Sequence, residues 1–400
     1  MKLLFLSALY PPQTRGGGEV STYLIAEGLK AGGHEVEVLT AESTGLPLTA
    51  KPLFERAWAR KMAKAMQGQA NWNSFDVVHA HDFRTAQVLS ELINMGAVQK
   101  EKAYVTVRDY AQICGSPNNL LADGSRCPGC ESLSAVVRNR AVVEAPWLRK
   151  PFRIWQYWYN IDYRLASFRA IPNHVYISNA QLEEVKKRQD LSGIKTQVIY
   201  NPVPAEYFSA ESQLGEPNRI LFVGTLESYK GAGLLLQAAA ELGSMNYELK
   251  IVGDGAGREK FEQQAQELGI ADRVTFAGRV AWDHMMAEYD QAQIVVAPHL
   301  WVEPFGRTTV EAMARGQVGI AANLGGPGEL IQDGKTGLLF KPASAEDLVK
   351  KLQLALEMSG EQRVQIQKNA RDWVAEHLSV RHITERYEDA YQRRDAVRAI

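Results

Sequence analysis

The apolar positions of this chain fall into short runs, and most runs are followed by a stretch with helical spacing. Lys2 to Ala8 reads as a buried strand, and Gly18 to Ala31 as an amphipathic helix after it. Glu35 to Thr40 is a second strand, residues 52 to 70 a helix, Asp76 to Ala80 a strand, Ala86 to Asn94 a helix and Ala103 to Val107 a strand. Val175 to Ile177 and Gln197 to Tyr200 add two more. Runs that are apolar throughout, and do not alternate with polar residues, belong to a parallel sheet covered on both faces.

The rhythm breaks at Asn201-Pro202-Val203-Pro204, and the polar, turn-rich residues 205 to 218 suit a linker. It then restarts. Arg219 to Gly224, Tyr247 to Gly253, Arg273 to Ala277, Ile294 to Pro298 and Gly319 to Ala322 read as strands. Gly233 to Leu242, Arg258 to Leu268 and Thr308 to Ala314 read as helices, and two helices near 344–358 and 361–394 close the chain. The expected architecture is α/β, with two successive Rossmann-like, doubly wound domains. These cover residues 1–204 and 205–377, and the C-terminal helix of about 378–400 returns to the first. Open sheets bind ligands beyond the carboxyl ends of their strands, so the cleft between two such domains is the natural site.

Length agrees, since 400 residues exceed one ordinary core. A net charge of −1 gives no reason to expect a nucleic-acid binder. Three cysteines, an odd and low count, fit a reducing compartment better than a secreted disulfide scaffold. Met1 to Tyr10 resembles a leader in outline, but Pro11-Pro12 and a glycine cluster cut its apolar run short, so it reads as the first strand. No run approaches the roughly 20 apolar residues that span a bilayer. A cytoplasmic protein is expected, at most peripheral on the inner face of the membrane.

The candidate chemistry concentrates in Glu303-Pro-Phe-Gly-Arg-Thr-Thr-Val-Glu311. Gly306 lets backbone approach a ligand closely, and the amides opening the helix at Thr308 attract phosphate. Glu303 in the preceding loop can accept from sugar hydroxyls, and Glu311, about a turn in, from a ribose diol. Spacing alone equally allows an acidic helix start that caps itself.

This segment, continued as Ala312-Met313-Ala314, resembles the signature of the family 4 retaining glycosyltransferases of GT-B fold, of the bacterial polysaccharide-biosynthesis type. Phe222 to Gly231 resembles that family's phosphate-binding segment. Leu249 to Gly255 and Val274 to Val280 resemble its base-binding half, and Gly325 to Glu329 and Asp333 to Phe340 its later donor loops. The resemblance implies that Glu311 holds the ribose, Glu303 the transferred sugar and Lys230 the diphosphate. It also implies that amides near Phe305, Gly306, Arg307, Thr308 and Thr309 hold sugar or phosphates, and that Arg279 and Val280 border the base. The family often has arginine where this chain has Thr225, which removes a bidentate cation.

In the first domain, Gly16-Gly17-Gly18 opens a helix after the first strand, where amides can approach an anion, although a plain tight turn would look the same. In the family this loop faces the donor phosphates. Of His79 and His81, which alternation puts on one face, His81 ends the strand where a ligand would sit, and in the family it lies near the transferred sugar. Arg108 and Asp109 end the next strand; Asp109 can bind hydroxyls on the acceptor side and Arg108 can pair with it, or both can be structural. His34 reads as a turn residue.

Cys114, Cys127 and Cys130 include one CxxC, but no second pair and no nearby histidine completes a zinc set, so buried thiols are the plainer reading. Residues 146 to 169 interleave aromatics with five basic residues and one acid. Such a stretch suits a membrane interface, sugar stacking, or a core helix with snorkelling arginines.

The resemblance implies retaining transfer by front-face attack, in which the leaving diphosphate helps take the acceptor's proton and the protein stabilises charge. No carboxylate nucleophile stands out, and no Asp-x-Asp motif is placed for a metal, so metal and cofactor independence is expected. A UDP-sugar donor, UDP-glucose first, and a saccharide or lipid-linked acceptor in surface polysaccharide synthesis complete the expectation, with domain closure over the donor. A dehydrogenase is the rival enzyme, but Gly253-Asp-Gly-Ala-Gly257 has Arg258 where the dinucleotide fingerprint needs glycine. A silent sugar-nucleotide-binding subunit is the non-enzymatic rival.

Overall fold

The computed structural model describes residues 1–12, 16–45, 55–114, 120, 127, 136–138, 140–143, 146–208 and 215–392. They form two compact units, Met1–Pro202 with Val380–Ile400, and Val203–Ser379.

The first unit is built on β1 (Lys2–Ser7), β2 (Glu35–Thr40), β3 (Val77–Ala80), β4 (Ala103–Val107), β5 (Asn173–Tyr176) and β6 (Lys195–Val198). They form one parallel sheet in the order β2-β1-β3-β4-β5-β6. Every residue of β3 and β4 is buried, as strands covered on both faces must be. Helix Val380–Gln392 seals this unit by packing on helix Gly17–Ala31, where a Cβ at Gly28 would meet Thr384 Cγ2 at 2.5 Å. It buries Ile383, Tyr387 and Tyr391.

The second unit repeats the plan with β7 (Arg219–Val223), β8 (Glu248–Val252), β9 (Val274–Gly278), β10 (Ile294–Ala297), β11 (Val318–Ala322) and β12 (Leu338–Phe340). The order is β12-β11-β10-β7-β8-β9, again parallel. Its core joins Ile220, Phe222, Ile251, Ile294 and Ile320 of the sheet to Leu235, Leu236, Leu348 and Leu352 of the covering helices.

Each sheet has one place where the strand order reverses, between β1 and β3 in the first and between β7 and β10 in the second. Loops leaving two adjacent strands there diverge to opposite faces and open a crevice at the carboxyl ends. Gly16–Gly18 and His81 lie after β1 and β3, and Lys230 and Glu303 lie after β7 and β10. The topology therefore gathers residues that the sequence holds 73 positions apart in the second unit.

Three expectations are corrected. The single terminal helix over 361–394 is two, Gly360–Leu378 and Val380–Gln392. The break at Ser379 falls where the Val203 amide donates to Leu378 O at 2.8 Å, so a long-range strand-like pairing interrupts a helical sequence. The stretch 205–218 is not all linker, because Ala205–Phe208 forms a 3₁₀ turn with Tyr207 buried. His34 does more than turn the chain: its Nδ1 lies 3.2 Å from the Met1 amino group and its Nε2 3.1 Å from Glu388 Oε1.

Candidate active site

In the second unit, β10 ends at Ala297 and the chain crosses to helix Arg307–Ala314 through a loop that Gly306 closes. Gly306 has φ of 86°, and a Cβ there would lie 2.4 Å from Pro327 Cγ. Only glycine fits on both counts. No side chain caps this helix; the Thr309 amide turns back to Gly306 O at 3.0 Å, and the Thr308 amide before it faces the space in front of the helix. Phe305 is buried beneath the turn, Arg307 and Thr308 are half-buried at its mouth, and the buried Thr309 hydroxyl has no hydrogen-bond partner.

Glu303 stands in that loop. Its Oε2 accepts from Lys230 Nζ at 2.6 Å and from Trp301 Nε1 at 2.9 Å. Among the described residues nothing donates to its Oε1. Trp301 and Tyr229 form the walls, with ring centroids 5.5 Å apart and the Lys230 ammonium 5.2 and 6.0 Å from the two rings. An ammonium held by one carboxylate and two aromatic faces has a fixed position, with its charge half-exposed to a ligand. Trp301 was not anticipated from the sequence, although its place two residues before Glu303 was the available signal.

Glu311 lies about one turn into the helix and is buried. Tyr289 donates to its Oε2 at 2.9 Å, and Arg307 Nη1 approaches Oε1 at 3.4 Å. Burial raises the Glu311 carboxyl above its ordinary range, outweighing the lowering by Arg307 and Tyr289. Tyr289 comes from a helix, Met285–Gln291, that sequence periodicity did not reveal.

Thr225 is exposed in the loop after β7, and Arg279 is exposed with Val280 half-buried after β9. The glycine run behind them is used for packing. Gly253 has φ of 138°, and a Cβ there would meet Gly224 O at 1.8 Å, while the Gly257 amide donates to Leu226 O at 2.8 Å. These glycines press the β8 loop against the loop that carries Lys230. Arg258 beside them is engaged with Glu262 and Phe276 O. The run is therefore filled by its own backbone neighbours, which leaves no dinucleotide cradle there.

In the first unit, Gly16 caps helix Gly17–Ala31 without a side chain, and a Cβ at Gly18 would touch Arg108 Cδ at 3.2 Å. Of the two alternatives left open for Arg108, its contacts are those of the structural one. Its Nε donates to His81 O at 2.9 Å, one Nη to Asn201 Oδ1 at 2.6 Å and the other to Thr22 Oγ1 at 3.2 Å. It thereby ties the glycine-opened helix to the end of β3.

The two histidines divide their roles. His79 is buried, with Nδ1 2.6 Å from Tyr391 OH and Nε2 2.9 Å from Thr106 Oγ1, so it locks the terminal helix to the sheet. His81 stacks on it at 4.2 Å, and its Nδ1 faces Arg108 at 3.4 Å. A guanidinium on Nδ1 assigns the neutral ring's proton to Nε2. That buried Nε2 has no hydrogen-bond partner. Burial first, then the neighbouring His79 and Arg108, hold His81 well below the usual histidine range. Asp109 accepts from the Ala111 amide at 2.8 Å, and burial pushes its carboxyl up to about 6.

Cys114 and Cys127 are buried and packed on each other. Cys130 lies outside the described residues, and among those described no group of three metal-ligating side chains occurs. Residues 146 to 169 form a short turn and helix Lys150–Ala170, with Trp147, Phe152, Trp155, Trp158 and Tyr159 exposed, which removes the core reading for these rings. No described helix is long and apolar enough to cross a membrane.

Residues 205–373 match the family described as "Glycosyl transferases group 1". An uncharacterized glycosyltransferase of Methanocaldococcus jannaschii is 27% identical over 378 residues, 87% of each chain. Among solved structures, sucrose-phosphate synthase from Thermosynechococcus elongatus superposes with a TM-score of 0.73 at 21% identity, covering 99% of both chains. Anabaena HepE in complex with UDP-glucose superposes with a TM-score of 0.68 at 19% identity, covering 98% of this chain and 100% of that one. At these identities the structures show the fold: two Rossmann-like domains of the GT-B glycosyltransferase type. Family match and relative together support glycosyl transfer as the class of activity.

Proposed function

We propose that this chain is a retaining glycosyltransferase that moves a hexose from a UDP-sugar, UDP-glucose first, to a saccharide or lipid-linked acceptor in surface polysaccharide synthesis. The observation that carries the reading is the Lys230–Glu303 pair at the strand-order reversal, beside an uncapped helix start and one turn from Glu311. A cation, open amides and two carboxylates are the groups that a diphosphate joined to two polyols requires. HepE, of the same fold, has been crystallised with UDP-glucose, which favours UDP among donors.

In this reading Lys230 and the amides that open the helix, at Arg307 and Thr308, take the charge of the departing diphosphate. Glu303 presents its unengaged Oε1 to the sugar hydroxyls while Trp301 fixes the carboxylate's orientation. Glu311 accepts from the ribose diol, for which the long Arg307 contact gives way. Arg279 and Val280 border the base. In the first unit Gly16–Gly18 offer further amides, the His81 Nε2–H donates to a sugar hydroxyl, and Asp109 serves the acceptor side. The acceptor oxygen bonds to the anomeric carbon on the face from which the diphosphate leaves, and its proton passes to the diphosphate. No step in this scheme is assigned to a metal or a resident cofactor. A lipid-linked acceptor would bring the chain to the inner face of a membrane, which the exposed residues of 146–169 suit.

The test is a sugar-nucleotide panel. Release of UDP from UDP-hexoses, with the α-anomer retained in the transferred product, supports the proposal. Binding of NAD with no turnover of any sugar nucleotide refutes it.

A further inference from the structure

Helix Lys150–Ala170 buries Gln156, Tyr157, Asn160, Ile161, Ser167 and Phe168. Phe152, Trp155 and Tyr159 recur on the opposite side at three- and four-residue spacing. Their rings form a continuous row, tilted at 5.9 Å from Phe152 to Trp155 and stacked at 5.7 Å from Trp155 to Tyr159. Trp155 is 49% exposed, and Trp147 and Leu148, just before the helix, are 77% and 74% exposed. Contiguous apolar exposure of this kind marks an interaction surface.

The neighbouring helix Glu55–Gln67 supplies the complementary feature. It buries Ala59, Met62, Ala63 and Met66 and turns Arg56, Arg60, Lys61 and Lys64 outward. These four cations and Tyr159 line one shallow groove, in which no acid occurs among the described residues. Among the described residues none of the four has an ion-pair partner. Arg149 and Arg153 extend the positive charge along the aromatic row, and Asp162 bounds it one turn beyond Tyr159.

We propose that these two helices form a docking face for an anionic phospholipid bilayer, with the rings at headgroup depth and the basic groove holding lipid phosphates. Rings flanked by cations, on a helix too polar to insert, are what a headgroup layer accommodates. A protein partner would bury the rings without requiring four unpaired cations beside them. The proposal deepens the reading of a lipid-linked acceptor, but its test does not depend on transfer.

Full-length protein is sedimented with phosphatidylcholine–phosphatidylglycerol vesicles and with pure phosphatidylcholine vesicles. Binding to the anionic vesicles alone, weakened by salt, is expected. Arg60→Glu with Lys64→Glu is expected to weaken it at least about a hundredfold, since each basic residue near such a surface contributes roughly a fivefold factor. Trp147→Ser with Trp155→Ser is expected to abolish tryptophan quenching by brominated acyl chains. All these positions are exposed, so both variants should keep the melting temperature and the vesicle-free hydrolysis of UDP-hexose. Equal binding to neutral vesicles, no vesicle binding, or quenching unchanged in the Trp variant would overturn the proposal. Intact anionic-vesicle binding by a protein that hydrolyses no sugar nucleotide would sustain this face and defeat the transferase reading.

Discussion

Lys230 Nζ donates to Glu303 Oε2 at 2.6 Å, so the two residues assigned to diphosphate and sugar hold each other in place. Removing Glu303 releases Lys230 toward phosphate and deprives the sugar of its acceptor. Glu303→Ala is therefore expected to lose transfer by roughly 10²–10³-fold, with UDP Kd within a few-fold of the parent. Lys230→Met should lose both. Transfer rates and UDP calorimetry on the two variants check this, and a parallel loss of UDP binding in Glu303→Ala would contradict the sugar role.

Tyr289 is the buried donor to Glu311. Tyr289→Phe leaves that carboxylate one partner short, which should cost about 1–3 kcal/mol of stability. It should also weaken UDP binding, because the ribose acceptor loses its orientation. Thermal unfolding and UDP titration of the variant report the two effects separately.

Gly306→Ala meets a positive φ of 86° and Pro327 Cγ at 2.4 Å. Strain at such a backbone position costs on the order of 1–3 kcal/mol, and the contact with Pro327 adds to it. A fall in melting temperature together with weakened UDP binding is the expected result. An unchanged melting temperature would show that the turn can relax.

The pH dependence of stability carries two contributions of opposite sign. The folded Asp109 carboxyl is raised from 3.8 to about 6, so between those values the native state binds more proton than the unfolded chain, and stability falls as pH rises. Asp109→Asn should stabilise by on the order of 2 kcal/mol at neutral pH and by little near pH 4. His79 and His81 are both held well below 6.5, so their contribution is present above that pH and is lost as pH falls and the unfolded chain takes up protons. Melting curves of parent and Asp109→Asn across this range separate the two.

Thr225 is exposed in the loop after β7, at the position where the resemblance drawn from the sequence leads one to expect arginine. Thr225→Arg should tighten UDP binding by up to roughly tenfold by adding a bidentate phosphate donor. No gain in a UDP titration would mean that Lys230 and the helix amides already satisfy the diphosphate.

The strands were legible where burial on both faces makes them continuous apolar runs, as at Ala103–Val107 and Lys2–Ser7. β12 was not, because its three residues sit inside a glycine-rich loop motif. Helix Gly325–Leu330 was hidden by its own glycines and proline, and it holds only through its neighbours, with the Gly326 amide on Glu303 O at 2.7 Å. Glu303, Glu311 and Lys230 stood out by residue type and resemblance. Trp301, Tyr289 and the Arg108 clamp did not, since their meaning lies in partners that only the folded chain supplies. The same holds for the exposed rings of 146–169, whose sequence fitted core and surface alike.

The most direct test of the central claim is release of UDP from UDP-glucose and other UDP-hexoses by the purified chain, measured beside its Glu303→Ala variant. The account predicts turnover of at least one UDP-hexose by the parent and near-complete loss in the variant with UDP still bound. Absence of binding and turnover for every sugar nucleotide, or equal turnover by parent and variant, would contradict it.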